Sequence, residues 1–173
     1  YDFPTLYFGY ENAFASNENK YEYQLITSQI RYDFKSENKG TLGINLKAGT
    51  FINGDNISFV DYKHFNGNRT HVGMSDRYLN VFNLMPYYSN STNKSYFEAH
   101  LEHNDNGYIM NKIPLLNKLN STLVLGFHSL AVPNTKPYTE FTVGLDKLGF
   151  GKLKVFRFDY VHSYQNGIQE NGV

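Results

Sequence analysis

Between Thr41 and Ala48 the chain alternates strictly: Leu42, Ile44, Leu46 and Ala48 take the even positions, and Thr41, Gly43, Asn45 and Lys47 the odd ones. A period of two predicts a strand with one apolar and one wet face. Tyr138 to Asp146 repeats the pattern, with Thr139, Phe141, Val143 and Leu145 opposite Tyr138, Glu140, Thr142, Gly144 and Asp146. Similar strands are predicted from Pro4 to Ala13, Tyr21 to Phe34, Ile57 to Phe65, Arg77 to Tyr87, Ser95 to Asn104, Ser121 to Ala131 and Lys152 to Ser163, separated by Asn, Gly, Ser and Lys clusters. The total is about nine strands, with helical periodicity nearly absent.

Two stretches depart from simple alternation. In Tyr21 to Phe34 the apolar positions switch from odd (Tyr21, Tyr23, Leu25) to even (Ile26, Ile30, Tyr32, Phe34), which a bulge near Leu25 to Thr27 would reconcile. MNKIPLLNKL, Met110 to Leu119, gathers Ile113, Leu115, Leu116 and Leu119 around Pro114 directly before the strand that carries Leu123, Leu125 and Phe127. It is expected to be a connection whose apolar residues pack under a barrel rim.

Most segments approach the roughly 9 to 11 residues with which a tilted strand crosses a bilayer. A bilayer-spanning sheet must close to satisfy its backbone, so the predicted fold is all-β, an antiparallel transmembrane β-barrel. The whole chain, 1–173, reads as one region, the C-terminal portion of a larger barrel; YDFPT opens it without a signal-peptide pattern and QNGIQENGV closes it in turn-like residues. Tyr87, Tyr88, Tyr96, Tyr138 and Tyr164 fall near strand ends, as an aromatic girdle would place them. Hairpins near Ser16 to Lys20, Asn53 to Asn56, Ser89 to Lys94 and Val132 to Lys136 then share the extracellular side and MNKIPLLNKL the periplasmic one; without a strand at Ile57 to Phe65 the two earliest would switch. The competing architecture is a soluble β-sandwich, which also alternates and turns every 8 to 12 residues or so.

Composition narrows the function. Sixteen basic and sixteen acidic residues leave no net charge, against a nucleic-acid partner. Without cysteine there is no disulfide, thiolate metal site or cysteine nucleophile. In YFEAHLEH, Glu98, His100 and Glu102 share a face beside Tyr96, while His103 faces the other way. Arg157 and Asp159 share a face with Val161 and are expected to form a lumen ion pair, and Lys152 and Lys154 lie with Phe156, Phe158 and Tyr160. With Glu140, these six polar residues (Glu98, His100, Glu102, Glu140, Arg157 and Asp159) are expected to line the lumen. Glu98, His100 and Glu102 could be metal ligands, and Glu140 with Glu98 or Asp159 a glycosidase-like pair; a polar lumen accounts for both without catalysis, a metal or a cofactor. There is no G-x-S-x-G, and GFGK at Gly149 to Lys152 lacks phosphate-loop spacing. HFNGNRTHVG, His64 to Gly73, is the loop best suited to a functional insertion.

KHFNGNRTHVG, RYLNVFNLMPYYSNST, GYIMNKIPLLNKLNSTLVLGFHS and KPYTEFTVGLDKLGFGKLKVFRFDYVHSYQNG, in that order, resemble the C-terminal barrel region of a Bacteroidota outer-membrane family of unknown function, over Asp61 to Val173. Its members typically carry an N-terminal carboxypeptidase-regulatory-like domain. The resemblance implies a bacterial outer-membrane location and a non-enzymatic role in transport or envelope assembly, akin to the outer-membrane insertase and transporter barrels. Its partners would be outer-membrane lipid and other envelope proteins. A soluble secreted or surface binding module is the alternative.

Overall fold

The computed structural model describes residues 3–14, 22–37, 39–67, 79–114, 116–150 and 153–172. They form one open antiparallel sheet of eight strands in chain order: β1 Thr5–Ala13, β2 Tyr23–Ser36, β3 Gly40–Ile52, β4 Tyr96–Asn104, β5 Thr122–Ala131, β6 Tyr138–Phe150, β7 Leu153–Gln165 and β8 Ile168–Gly172. Among the described residues the fold is all-β, with no closed barrel and eight strands in place of the nine expected.

Ile57 to Phe65 is not a strand. Gly54–Asn56 and Phe59–Asp61 are 3₁₀ turns, and the backbone bonds locally, Asp61 N–H donating to Ser58 O and Tyr62 N–H to Phe59 O. Of Arg77 to Tyr87, residues 77 and 78 lie outside the described residues; residues 79–87 are turns and bends, with an isolated bridge from Phe82 to Gly67. Because both expected strands drop out, parity is restored. Asn53 to Asn56, Ser89 to Lys94 and Val132 to Lys136 lie at one rim and MNKIPLLNKL at the other; Ser16 to Lys20 falls outside the described residues. QNGIQENGV is not merely a turn. Asn166 and Gly167, with φ of 54° and 85°, make the two-residue hairpin that positive φ permits, and it leads into β8.

β2 needs no bulge, since its register with β3 runs unbroken from Gln24↔Ile52 to Ser36↔Gly40. Tyr23 and Leu25 are buried on the inner face because the connection 53–95 covers it near that rim, whereas Ile26, Ile30 and Phe34 are exposed on the outer face. The switch in apolar parity is therefore a change in what the inner face meets. A core results in which Ile57, Phe65, Phe82 and Met85 pack on Tyr23, Leu25, Tyr96, Leu130 and Tyr138. Tyr96 and Tyr138 are thus core residues, not members of a girdle; Tyr164, at 41% exposure, remains outside.

At the opposite rim, Met110 is buried but Ile113 and Leu119 are exposed, so the apolar cluster of MNKIPLLNKL does not pack as expected. Asp105 organises this connection instead. Its buried carboxylate accepts from the N–H groups of Gly107 (2.8 Å), Ile109 (2.8 Å), Met110 (3.3 Å) and Leu123 (2.7 Å). Lys154 closes the same rim by donating to the carbonyls of Leu119 (3.0 Å) and Asn120 (3.2 Å).

Candidate functional site

Strand register carries one polar row across the inner face. Arg31 on β2 pairs with Asn45, Asn45 with His100, His100 with His128, His128 with Glu140, and Glu140 with Ser163 on β7. All six residues singled out from sequence lie on this face, but they separate into three groups.

The first is built on β3, β4 and β5. His100 Nε2 is 2.6 Å from Glu98 Oε1, and His100 Nδ1 is 2.8 Å from His128 Nδ1. A carboxylate can only accept, so His100 Nε2 carries the hydrogen; in the neutral ring Nδ1 then accepts from His128 Nδ1–H. Lys47 completes the group, its Nζ 3.1 Å from Glu98 Oε1. Both imidazoles and Glu98 are buried.

The second group crosses the sheet from β7 to β4. Arg157 Nε donates to both oxygens of Asp159, at 2.7 and 3.0 Å, and its Nη2 donates to Glu102 Oε2 at 3.0 Å. Gly144 makes room for this, because a Cβ there would strike the Asp159 carboxylate. The cation answers two carboxylates that the sheet holds away from water, which is what keeps such a cluster tolerable.

Glu140 stands alone as the third. Its Oε2 accepts from the backbone N–H of Asn83 and its Oε1 from that of Leu84, both at 2.8 Å, and Oε1 also accepts from the Tyr138 hydroxyl at 2.6 Å. It is fully buried. Two further contacts hold the same insertion to the wall: Asn45 Nδ2 donates to Leu79 O at 2.5 Å, and Lys47 bonds the Asn80 side chain. Between them the Phe82 ring lies against His100, centroids 4.8 Å apart, and against Tyr138 at 5.7 Å.

Chemically, Glu140, Asn45 and Lys47 clamp the insertion to the wall, whereas the His100 and Arg157 groups tie wall strands to one another. Glu140 and both carboxylates considered as its glycosidase-like partner, Glu98 and Asp159, are each engaged by other groups. Among the described residues no group of three or more His, Asp or Glu is placed to hold a metal ion. The sequence pattern alone gives His128 no role and does not mark Lys47, Asn45, Tyr138 or the Asn83–Leu84 backbone as partners. Register with His100 was the missing signal for His128; backbone donors leave none. Of HFNGNRTHVG, residues 68–73 lie outside the described residues, while Phe65 is core and His64 Nδ1 meets Ser91 Oγ at 2.7 Å.

No curated protein matches the chain, and no solved structure matches it either. A family model matches residues 1–145. That span takes in 1–60, where the sequence offers pattern rather than shared words, and stops within β6. The model is that of the Family of unknown function (DUF5686) C-terminal domain, and the chain belongs to this family.

Proposed function

We propose that this sheet is part of the wall of a β-barrel in the bacterial outer membrane, with a non-enzymatic role in transport or envelope assembly. The observation that carries the reading is which face is apolar. Leu6, Phe8 and Tyr10 on β1, Ile26, Ile30 and Phe34 on β2, Leu125 on β5, Phe141 and Val143 on β6, and Phe156, Phe158 and Tyr160 on β7 all stand on the outer face; Phe141 is 54% and Phe158 61% exposed. A soluble sheet turns such a face to its core. Here the core and the charges occupy the other face, as in a membrane barrel with a polar interior.

Strand length agrees. β2 has 14 residues and β3, β6 and β7 have 13 each, enough to cross an apolar band about 25 Å tall at a tilt of about 40°. A β-sandwich needs a second sheet, and the described residues form one. Glu98, His100, Glu102, Glu140, Arg157 and Asp159 then line the lumen, where Glu140 holds the insertion against the wall, and lipid covers the outer face. Other envelope proteins would meet the rims, where the connections are.

Cell fractionation of the full-length protein tests this. The proposal expects it in the outer-membrane fraction, migrating faster on gels when unheated than when boiled; release into the soluble fraction without detergent, with a single mobility, would refute it.

A further inference from the structure

A cavity of about 600 Å³ opens between the inner face of β1 to β3 and the insertion, and its wall is electropositive. Arg31, Lys47 and Lys63 line it, and among the described residues no Asp or Glu does. The Lys47 charge is answered by Glu98. Lys63 has its Nζ 5.8 Å from the centre of the Tyr96 ring, a contact that leaves the ammonium's hydrogens available. Among the described residues Arg31 is in no ion pair, and Asp33, two residues further along β2, lines with it a separate cavity of about 290 Å³. Among the described residues, therefore, no carboxylate answers the Arg31 and Lys63 charges in the larger cavity.

The remaining polar lining is carboxamide: Gln29, Asn45, Asn66 and Asn80. Gln29 donates to Asn45 Oδ1 at 2.7 Å and Asn66 donates to Asn80 O at 3.1 Å. These bonds hold the amides in place and leave the Gln29 and Asn66 side-chain oxygens to accept from hydroxyl groups. Guanidinium and ammonium groups recognise oxyanions by charge-assisted bonds, carboxamides recognise hydroxyls, and the volume falls in the usual range of small-molecule sites.

We propose that this cavity binds a phosphate or carboxylate carried on a hydroxylated group of about monosaccharide size. The site goes beyond the barrel reading and does not depend on it, because these residues line the inner face whatever meets the outer one.

Titration calorimetry on the purified full-length protein tests it with glucose 6-phosphate, glucuronate and glucose as probes. Saturable binding of one or both anions, but not of glucose, is expected. It should weaken at least about tenfold in Arg31→Gln and further in Arg31→Gln/Lys63→Gln, since each substitution removes a charge-assisted bond. Lys118→Gln, on the opposite rim, should bind as the parent does. If phosphatidylglycerol micelles compete with the sugar anion, the oxyanion belongs to a lipid headgroup; if not, to a dissolved solute. The inference is overturned if neither anion binds, if glucose binds as well as they do, or if the double variant retains parental affinity while its unfolding temperature is unchanged.

Discussion

Glu140 on β6 and Asn83 in the insertion are 57 residues apart in sequence, yet the Glu140 carboxylate accepts the Asn83 backbone N–H at 2.8 Å inside the sheet. With the neighbouring Leu84 N–H on its other oxygen, this one side chain fixes the position of a turn. Glu140→Ala should leave two backbone donors without a partner, which costs about 1 to 3 kcal/mol for each that stays buried. Hydrogen exchange checks it directly: the amides of Asn83 and Leu84 should exchange much faster in Glu140→Ala, and β2–β3 amides should not change.

Phe82 sits at the centre of the clamp, fully buried and against His100, His128 and Tyr138. Phe82→Ala should destabilise the protein by about 3 to 5 kcal/mol through lost burial and the void it leaves, and Phe82→Leu by clearly less. Heat unfolding followed by circular dichroism measures both.

Arg157 serves two carboxylates at once. Arg157→Met should cost about 3 to 5 kcal/mol, because Glu102 and Asp159 remain without their cation. Replacing all three, as Glu102→Gln/Arg157→Met/Asp159→Asn, should recover most of that loss, which a urea titration in detergent would show. Gly144→Ala should resemble Arg157→Met in direction, since its methyl group takes the space of the Asp159 carboxylate.

Asp105 gives a pH dependence. Burial disfavours its charged form, but the N–H groups of Gly107, Ile109, Leu123 and Met110 outweigh burial and hold its pKa below the ordinary 3.8. A carboxyl with a lowered folded pKa contributes stability in full above its unfolded value, and that stability disappears as pH falls through the folded value. Asp105→Ala should therefore destabilise the parent at neutral pH by at least about 2 kcal/mol. The difference between the two should shrink as pH drops below 3.8, measured as unfolding midpoints from pH 7 to pH 2.

How far the sequence could be read depends on what each face meets. Thr41 to Ala48 and Tyr138 to Asp146 alternate because one face is apolar throughout, and both lie within strands, β3 and β6. Tyr23, Leu25, Tyr96 and Tyr138 misled because an insertion, not water, covers the inner face near one rim. The same insertion produced two false strands: Ile57, Phe65 and Phe82 are apolar because they fill that core, and their spacing answers to it. Glu98, His100, Glu102, Arg157 and Asp159 were legible as a polar face. The Arg157–Asp159 ion pair, two residues apart on one strand, was legible as well; the partners drawn from other strands were not, since register across four strands decides who meets whom.

The claim that the outer face of this sheet meets lipid is tested most directly by a nitroxide scan along β6 in the full-length protein, reconstituted in bilayers, one labelled cysteine at a time from 141 to 145. Labels at Phe141, Val143 and Leu145 should be accessible to dissolved oxygen and shielded from a water-soluble nickel chelate, and a label at Thr142 should be reached by neither. Chelate accessibility at Phe141 and Val143 equal to that of a label at Asn134 in the exposed β5–β6 turn would contradict the account.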